Sequence, residues 1–298
     1  FGYSKNPTET LEMWNEDEVL SDVVWAIRKL QPDVIINRFS NDPNSRTHGH
    51  HTSSAMLSTR AFEMTNDPNV YPSQLEYVQP WKAKRLMWNT SWWFYGSREK
   101  FNEADKSKLV AVDVGVYYPI KGVSNSEIAA LSRSQHQCQG MGSTGSRGRS
   151  MEYLEFLKGD QPQKDLFDGI NTTWSRIPGG GAIGSALAAV ESNFDFGNPS
   201  KSIKQLISIR EMIQALPDSR WKKVKLEDIE DTITGSLGLF AELITSDYNS
   251  TASGTIKLRT EVINRSEIET SLKQISIPSM DIDTTLNQNL TWEAPFKW

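Results

Sequence analysis

The stretch Asp33-Val34-Ile35-Ile36-Asn37-Arg38-Phe39-Ser40-Asn41-Asp42-Pro43-Asn44-Ser45-Arg46-Thr47-His48-Gly49-His50-His51 decides how the chain is read. Its short apolar run, entered just after Pro32, has the pattern of a buried strand over 33–39. Three of the chain's four histidines close it, just before a helical stretch from Thr52 to Met64. Imidazoles at the exit of a strand suit a metal site or an acid/base site, because neutral imidazole ligates zinc and titrates near working pH. His48 and His51, at i and i+3 of a helix start, can face one point. A solvated, His-rich loop has the same spacing. Two imidazoles do not close a zinc site, and no other His/Cys/Glu cluster supplies an obvious third ligand.

Upstream, Asn15 followed by Glu16-Asp17-Glu18 is a helix start, with the side-chain cap and acidic first turn that free N–H groups favour. Val19, Leu20, Val23, Val24, Ile27 and Leu30 recur at helical spacing, and Pro32 ends the run. A helix feeding directly into an apolar strand is the unit of a layered α/β sheet. Downstream, 66–79 reads as a loop with Pro68 and Pro72, and Arg85 to Tyr95 as an aromatic strand. Leu109 to Val116 is a further strand, Ser124-Asn125-Ser126-Glu127 a capping box, and Met151 to Leu157 a short helix. Composition changes near Lys158. From Ala182 to Tyr248 the pattern is helical, with one stripe through Ile203, Leu206, Ile209 and Ile213 and another from Leu226 to Ile244. From Asn249 it becomes strand-like, with Thr255–Ile263 and Ser271–Ile277 alternating either side of a turn at Asn264-Arg265-Ser266. The expectation is an α/β layered domain over 1–157, a helical region over 158–248 and an incomplete β-sandwich over 249–298.

The 298 residues allow two or three domains. A net charge of -5 argues against nucleic acid as a partner, since a phosphate backbone selects a concentrated basic face. A single cysteine, Cys138, precludes an internal disulfide. Mean hydropathy is -0.51, and no apolar run approaches the roughly 18–20 residues of a membrane span. The chain opens on Phe1 and stops just after strand-like sequence, so it reads as a piece of a longer polypeptide.

Three further stretches carry two readings each. Gly179-Gly180-Gly181-Ala182-Ile183-Gly184 is formally a dinucleotide fingerprint, but it lacks the preceding strand and the acidic residue about 20 positions on; a Gly-rich helix entry is the better reading. Arg147 and Arg149, in the loop Gly140 to Ser150 after His136, either reach a substrate or are solvated. Trp88, Trp92 and Trp93 form a sugar-stacking platform or pack in a core; alternation along a strand sets Trp88 and Trp92 against Trp93, which favours packing.

The strand Pro-Asp-Val-Ile-Ile, its loop and His48-Gly49-His50-His51 together resemble the PIG-L (LmbE-like) N-deacetylases, whose second zinc motif usually reads His-Pro-Asp-His. Val112-Asp113-Val114, then a helix ending in His136-Gln137-Cys138-Gln139, is similar to that family's valine-Asp strand and later His-x-Ser-Gln. The order of the parts agrees over residues 15–140. The resemblance implies a partial LmbE-like, Rossmann-type layered fold, zinc as cofactor, and hydrolysis of N-acetylated amino sugars or related amides. The partner it implies is a small-molecule or glycan N-acetyl substrate. It matches His51 to a zinc ligand and His48 to the histidine that stabilises the oxyanion and protonates the leaving amine. His50 stands where the family has an orienting Asp, a hydrogen-bond role that an imidazole does not fill as a carboxylate does. His136 matches a residue close to the pocket. The family's first motif, Pro-His-Pro-Asp-Asp-Glu, has no counterpart in this sequence. The chain is therefore expected to hold about half a site, to be inactive alone and to bind zinc weakly at best. The competing reading is a non-catalytic glycan- or partner-binding protein on a deacetylase-like scaffold. An appended β-sandwich fits an extracytoplasmic setting, by analogy of fold.

Overall fold

A computed structural model describes residues 2–45, 47–139 and 142–298; Arg46, Gly140 and Met141, from the two polar loops, lie outside them. The protein is mixed α/β, with helices and several small open sheets. It divides into two compact units, 1–170 and 171–298.

The first unit begins with a helix where the sequence promised only a polar lead-in. α1 (Pro7–Met13) is capped by Asn6, whose side chain accepts from Glu9 N, and Pro7 occupies its first turn. Proline suits that position because its missing N–H would have no partner there anyway. α2 (Glu16–Leu30) starts and ends as its sequence dictates, with Asn15 accepting from Glu18 N and Gln31 left-handed at φ 49. Leu20, Val24 and Ile27 on its buried face pack with Leu57 and Ala61 of α3 (Gly49–Met64). Burying each such side chain is worth about 1.5–3 kcal/mol. Leu30, on the same apolar stripe, stays exposed.

Between α2 and α3 runs β1 (Val34–Asn37), parallel to β2 (Arg85–Thr90), with Val34 opposite Arg85 and Asn37 opposite Trp88. α4 (Arg98–Glu103), β3 (Leu109–Asp113), the hairpin of β4 (Tyr117–Tyr118) and β5 (Val123–Ser124), α5 (Asn125–Ser134) and β6 (Met151–Gly159) follow. The main sheet has the order β1-β2-β6-β3, and β6 runs antiparallel to both its neighbours. It is therefore a mixed sheet whose single parallel pair is β1-β2. The capping box at Ser124/Glu127 is present in full.

Two expectations fail in this unit. Met151–Leu157 is strand, not helix: Met, Leu, Glu and Lys favour a helix, but two ready ladders at β2 and β3 claim the segment, and tertiary pairing overrides propensity. The aromatic strand from Arg85 stops at Thr90, and Ser91 to Gly96 turn back on themselves, with Phe94 N donating to Ser91 O and Tyr95 N to Trp92 O.

Two buried arginines secure the connections. Arg28 donates to the carbonyls of Thr65, Asp67, Val70 and Tyr71 and to Gln74 Oε1. Arg85 donates to the carbonyls of Leu166 and Asp168, which keeps 160–170 against the sheet.

In the second unit α6 (Gly180–Ser192), α7 (Ile203–Gln214) and α8 (Arg220–Leu237) share one core through Ile183, Val190, Leu206, Ile209, Ile213 and Ile229. The second helical stripe was expected to reach Ile244. The helix stops at Leu237, where Gly238 turns left-handed, and β7 (Phe240–Thr245) follows. β7, β8 (Leu258–Ile263) and β11 (Phe296–Lys297) form one antiparallel sheet in the order β11-β8-β7. β9 (Thr270–Ile277) and β10 (Ile282–Leu290) form a separate antiparallel pair. Asn264–Ser266 is thus a crossover and not a hairpin turn. Asn264 is buried and organises it, accepting from Ser266 N and Oγ and donating to Ile268 O.

Candidate metal centre

The carboxyl ends of β1 and β2 lie side by side, and the loop leaving β1 carries three of the chain's four histidines. Sites gather at such an edge because the scaffold fixes the strands while the loops vary. Arg38, just beyond β1, donates to Asn89 Oδ1 of β2 at 2.7 Å. Asn37 is buried and donates to Ala55 O of α3. The exit of the strand is thereby tied both to its neighbour and to the helix that follows.

The loop delivers its histidines to the start of α3. His48 is the N-cap residue by backbone, its carbonyl accepting from the amides of His51 and Thr52, but its imidazole makes no capping bond. His50 and His51 occupy the first turn. One ligating nitrogen from each of His48, His50 and His51 can be chosen so that all lie within 4.8 Å of one another. The ring centroids of His50 and His51 are 4.1 Å apart, and those of His48 and His51 are 5.5 Å apart. Phe39 stacks on the His51 ring at 3.9 Å and 18°, and Tyr3 meets His48 edge-on at 4.9 Å.

Burial, followed by the charges of His50 and then His48, holds the His51 pKa below the ordinary histidine value. His51 is thus a neutral imidazole at neutral pH, the form a metal needs. His50 Nδ1 is buried without a hydrogen-bond partner among the described residues. A buried nitrogen lone pair or N–H left unpaired costs about 1–3 kcal/mol, and a cation shared with the neighbouring imidazoles would satisfy such a lone pair. The three residues therefore fit a metal ion. A cavity of about 270 Å³ opens beside His51, lined by Ile36, Asn37, Arg38, Phe39, Ser54 and Ala55.

The turn is held from the side of α1. Gly49 is buried, and its amide donates to Ser4 O at 2.9 Å. A Cβ at Gly49 would stand 2.1 Å from Asn6 O, so only glycine allows α1 to lie this close. Ser53 Oγ donates to Pro7 O, and Ser4 and Thr10 hydroxyls pair at 2.6 Å. These bracing residues, with Phe39 and Tyr3, escape a motif-based reading. The start signal Asn6-Pro7-x-Glu9 was their only trace in the sequence.

The remaining candidates sit elsewhere in the unit. His136 follows α5, is exposed, and is not a member of the three-imidazole group. Arg147 pairs with Glu127 at 3.0 Å and Arg149 with Asp113 at 3.2 Å. Asp113 also accepts from the amides of Gly115 and Ser150, and the Ser150 bond, then Gly115, keeps its carboxyl below the usual range. In the second unit the Gly-rich stretch opens α6 from a left-handed Gly179, and Gly180 lies flat against Trp174 O.

Compared with protein-family models, with curated proteins and with solved structures, the chain has no match. Among the described residues no helix is long and apolar enough to cross a membrane.

Proposed function

We propose that this chain carries one wall of a zinc-dependent amide hydrolase, an N-deacetylase acting on N-acetylated amino sugars or related amides, on an LmbE-like α/β domain. The observation that carries the reading is the convergence of three imidazoles at the carboxyl edge of β1, one with a buried nitrogen lacking a partner. His51, with His50 beside it, would hold the metal, and bound zinc would supply the Lewis acidity that makes water a nucleophile near neutral pH. His48 is the most exposed of the three. Its ring N–H would donate a hydrogen bond to the oxygen on which negative charge develops, and its proton would then pass to the departing amine. Phe39 fixes the plane of His51, and the cavity that both line is a place for a small acyl group. The sequence has no Pro-His-Pro-Asp-Asp-Glu motif, so the general base and further ligands belong to a segment carrying one.

The test has two arms. In the 298-residue chain, the weak zinc uptake of a partial site, measured by equilibrium dialysis at high zinc, is expected to be lost in His51→Ala, since one lost ligand removes a coordinate bond. In a polypeptide that joins this chain to a Pro-His-Pro-Asp-Asp-Glu segment, His48→Gln is expected to keep its zinc while acetate release from an N-acetylglucosaminide drops about a hundredfold or more. Equal zinc affinity in His51→Ala, or undiminished acetate release in His48→Gln, sinks the assignment.

A further inference from the structure

The same loop that ends in the histidines has a second face. Ser40, Asp42, Asn44 and Ser45 line a cleft of about 610 Å³. The rest of its lining is largely aromatic: Trp88 from β2, then Trp93, Phe94 and Tyr95 from the turn after it, together with Lys100 of α4. The rings brace one another edge-to-face, Trp88 on Phe94 at 5.1 Å and Trp93 on Phe94 at 5.0 Å. Alternation had set Trp93 on the far side of a strand from Trp88. Because β2 ends at Thr90, the turn brings both to one cleft.

We infer that this aromatic cleft is a subsite for a carbohydrate ring, separate from the cavity at His51. Two features point to that class. A pyranose presents a face of C–H groups, weakly positive, which stacks on the negative face of an indole. It presents hydroxyls around its rim, and the rim here is polar: a carboxylate, an amide, two serine hydroxyls and an ammonium. A purely apolar ligand would leave those groups desolvated and unpaired, which costs affinity. Trp93 is half-exposed and so has a free ring surface to offer. Asp42 is held ready, accepting from Asn44 N at 2.9 Å while Ser40 Oγ accepts from Asp42 N.

The position gives the subsite its meaning. Phe39, stacked on His51, is followed directly by Ser40 in the cleft wall, and Ser45 lies three residues before His48. A ligand of two linked rings would therefore place one in the cleft and the other toward the histidines. This orientation rests on the deacetylase reading; the binding of a ring in the cleft does not.

The test is calorimetric binding of N,N′-diacetylchitobiose and of cellobiose to the metal-free chain. Saturable binding of at least one is expected, weakened about tenfold or more in Trp93→Ala, a loss of about 1.4 kcal/mol. Trp93→Tyr, which keeps an aromatic face, is expected to retain most of the affinity. Ile120→Ala, on the exposed hairpin, serves as the control with no effect, and circular dichroism of each variant checks folding. No saturable binding of either sugar, or equal affinity in Trp93→Ala, overturns the subsite. Trp93-dependent binding in a protein whose zinc arm fails would leave the subsite standing and remove the deacetylase reading alone.

Discussion

Two polar regions of the first unit carry histidine or arginine, and the fold treats them in opposite ways. Around Asp113, the charges meet partners: Arg149 pairs with Asp113, Arg147 with Glu127, and the amides of Gly115 and Ser150 donate to the Asp113 carboxylate. Around His48, the amides of Gly49, His51 and Thr52 are engaged, while the imidazoles are gathered together beside two aromatic rings. A region whose side chains are consumed by local bonds is holding the chain together. One whose backbone is braced and whose side chains are left over is presenting chemistry to something else.

That contrast can be broken most sharply at Gly49. Gly49→Ala puts a methyl into Asn6 O, and the start of α3 must separate from α1. The expected cost is about 3 kcal/mol of stability, read from denaturant midpoints, together with loss of zinc uptake. A fully stable variant would mean that α1 does not brace the turn. A smaller effect is expected from Phe39→Leu, which leaves the ligands in place but frees the His51 ring; zinc affinity should fall about tenfold, as for other supports behind a metal ligand. Unchanged affinity would reduce the stacking to packing.

The smallest effect belongs to the other region. The Asp113 carboxyl is held below its ordinary value, so its contribution to stability is complete above the unfolded carboxylate pKa and is lost as pH falls through the lower folded one. Melting temperatures measured across the acid range should therefore show a slope that Asp113→Asn flattens, with zinc uptake at neutral pH unaffected. If that variant altered zinc uptake, the two regions would not be independent.

What the sequence made legible follows the same division between local and distant causes. The starts of α2 and α5 were placed correctly because their signals are local: Asn15 with three acids, and Ser124 with Glu127, make their capping bonds within one turn. The i, i+3 spacing of His48 and His51 likewise needed nothing beyond the start of a helix. β6 was missed because its partners lie some 40–70 positions away, and Met151-Glu152-Tyr153-Leu154-Glu155 carries no turn signal to oppose a helix. The length of the aromatic strand was misjudged for a related reason. Alternation is a rule about strands, and nothing in Trp92-Trp93-Phe94-Tyr95 announces that the strand has already ended. The bracing of Gly49 by Asn6 depends on two helices meeting at atomic distance, which no one-dimensional pattern encodes.

The buried Arg28 has a consequence for which changes the loop between α3 and β2 can absorb. Four of its acceptors are main-chain carbonyls, of Thr65, Asp67, Val70 and Tyr71, and every amino acid carries one of those. Arg28 therefore fixes the path of 66–70 through the main chain, and that part of the specification is concentrated at one position in α2. A library randomised over residues 66–70 should return many folded clones, whereas one randomised at Arg28 alone should return almost none.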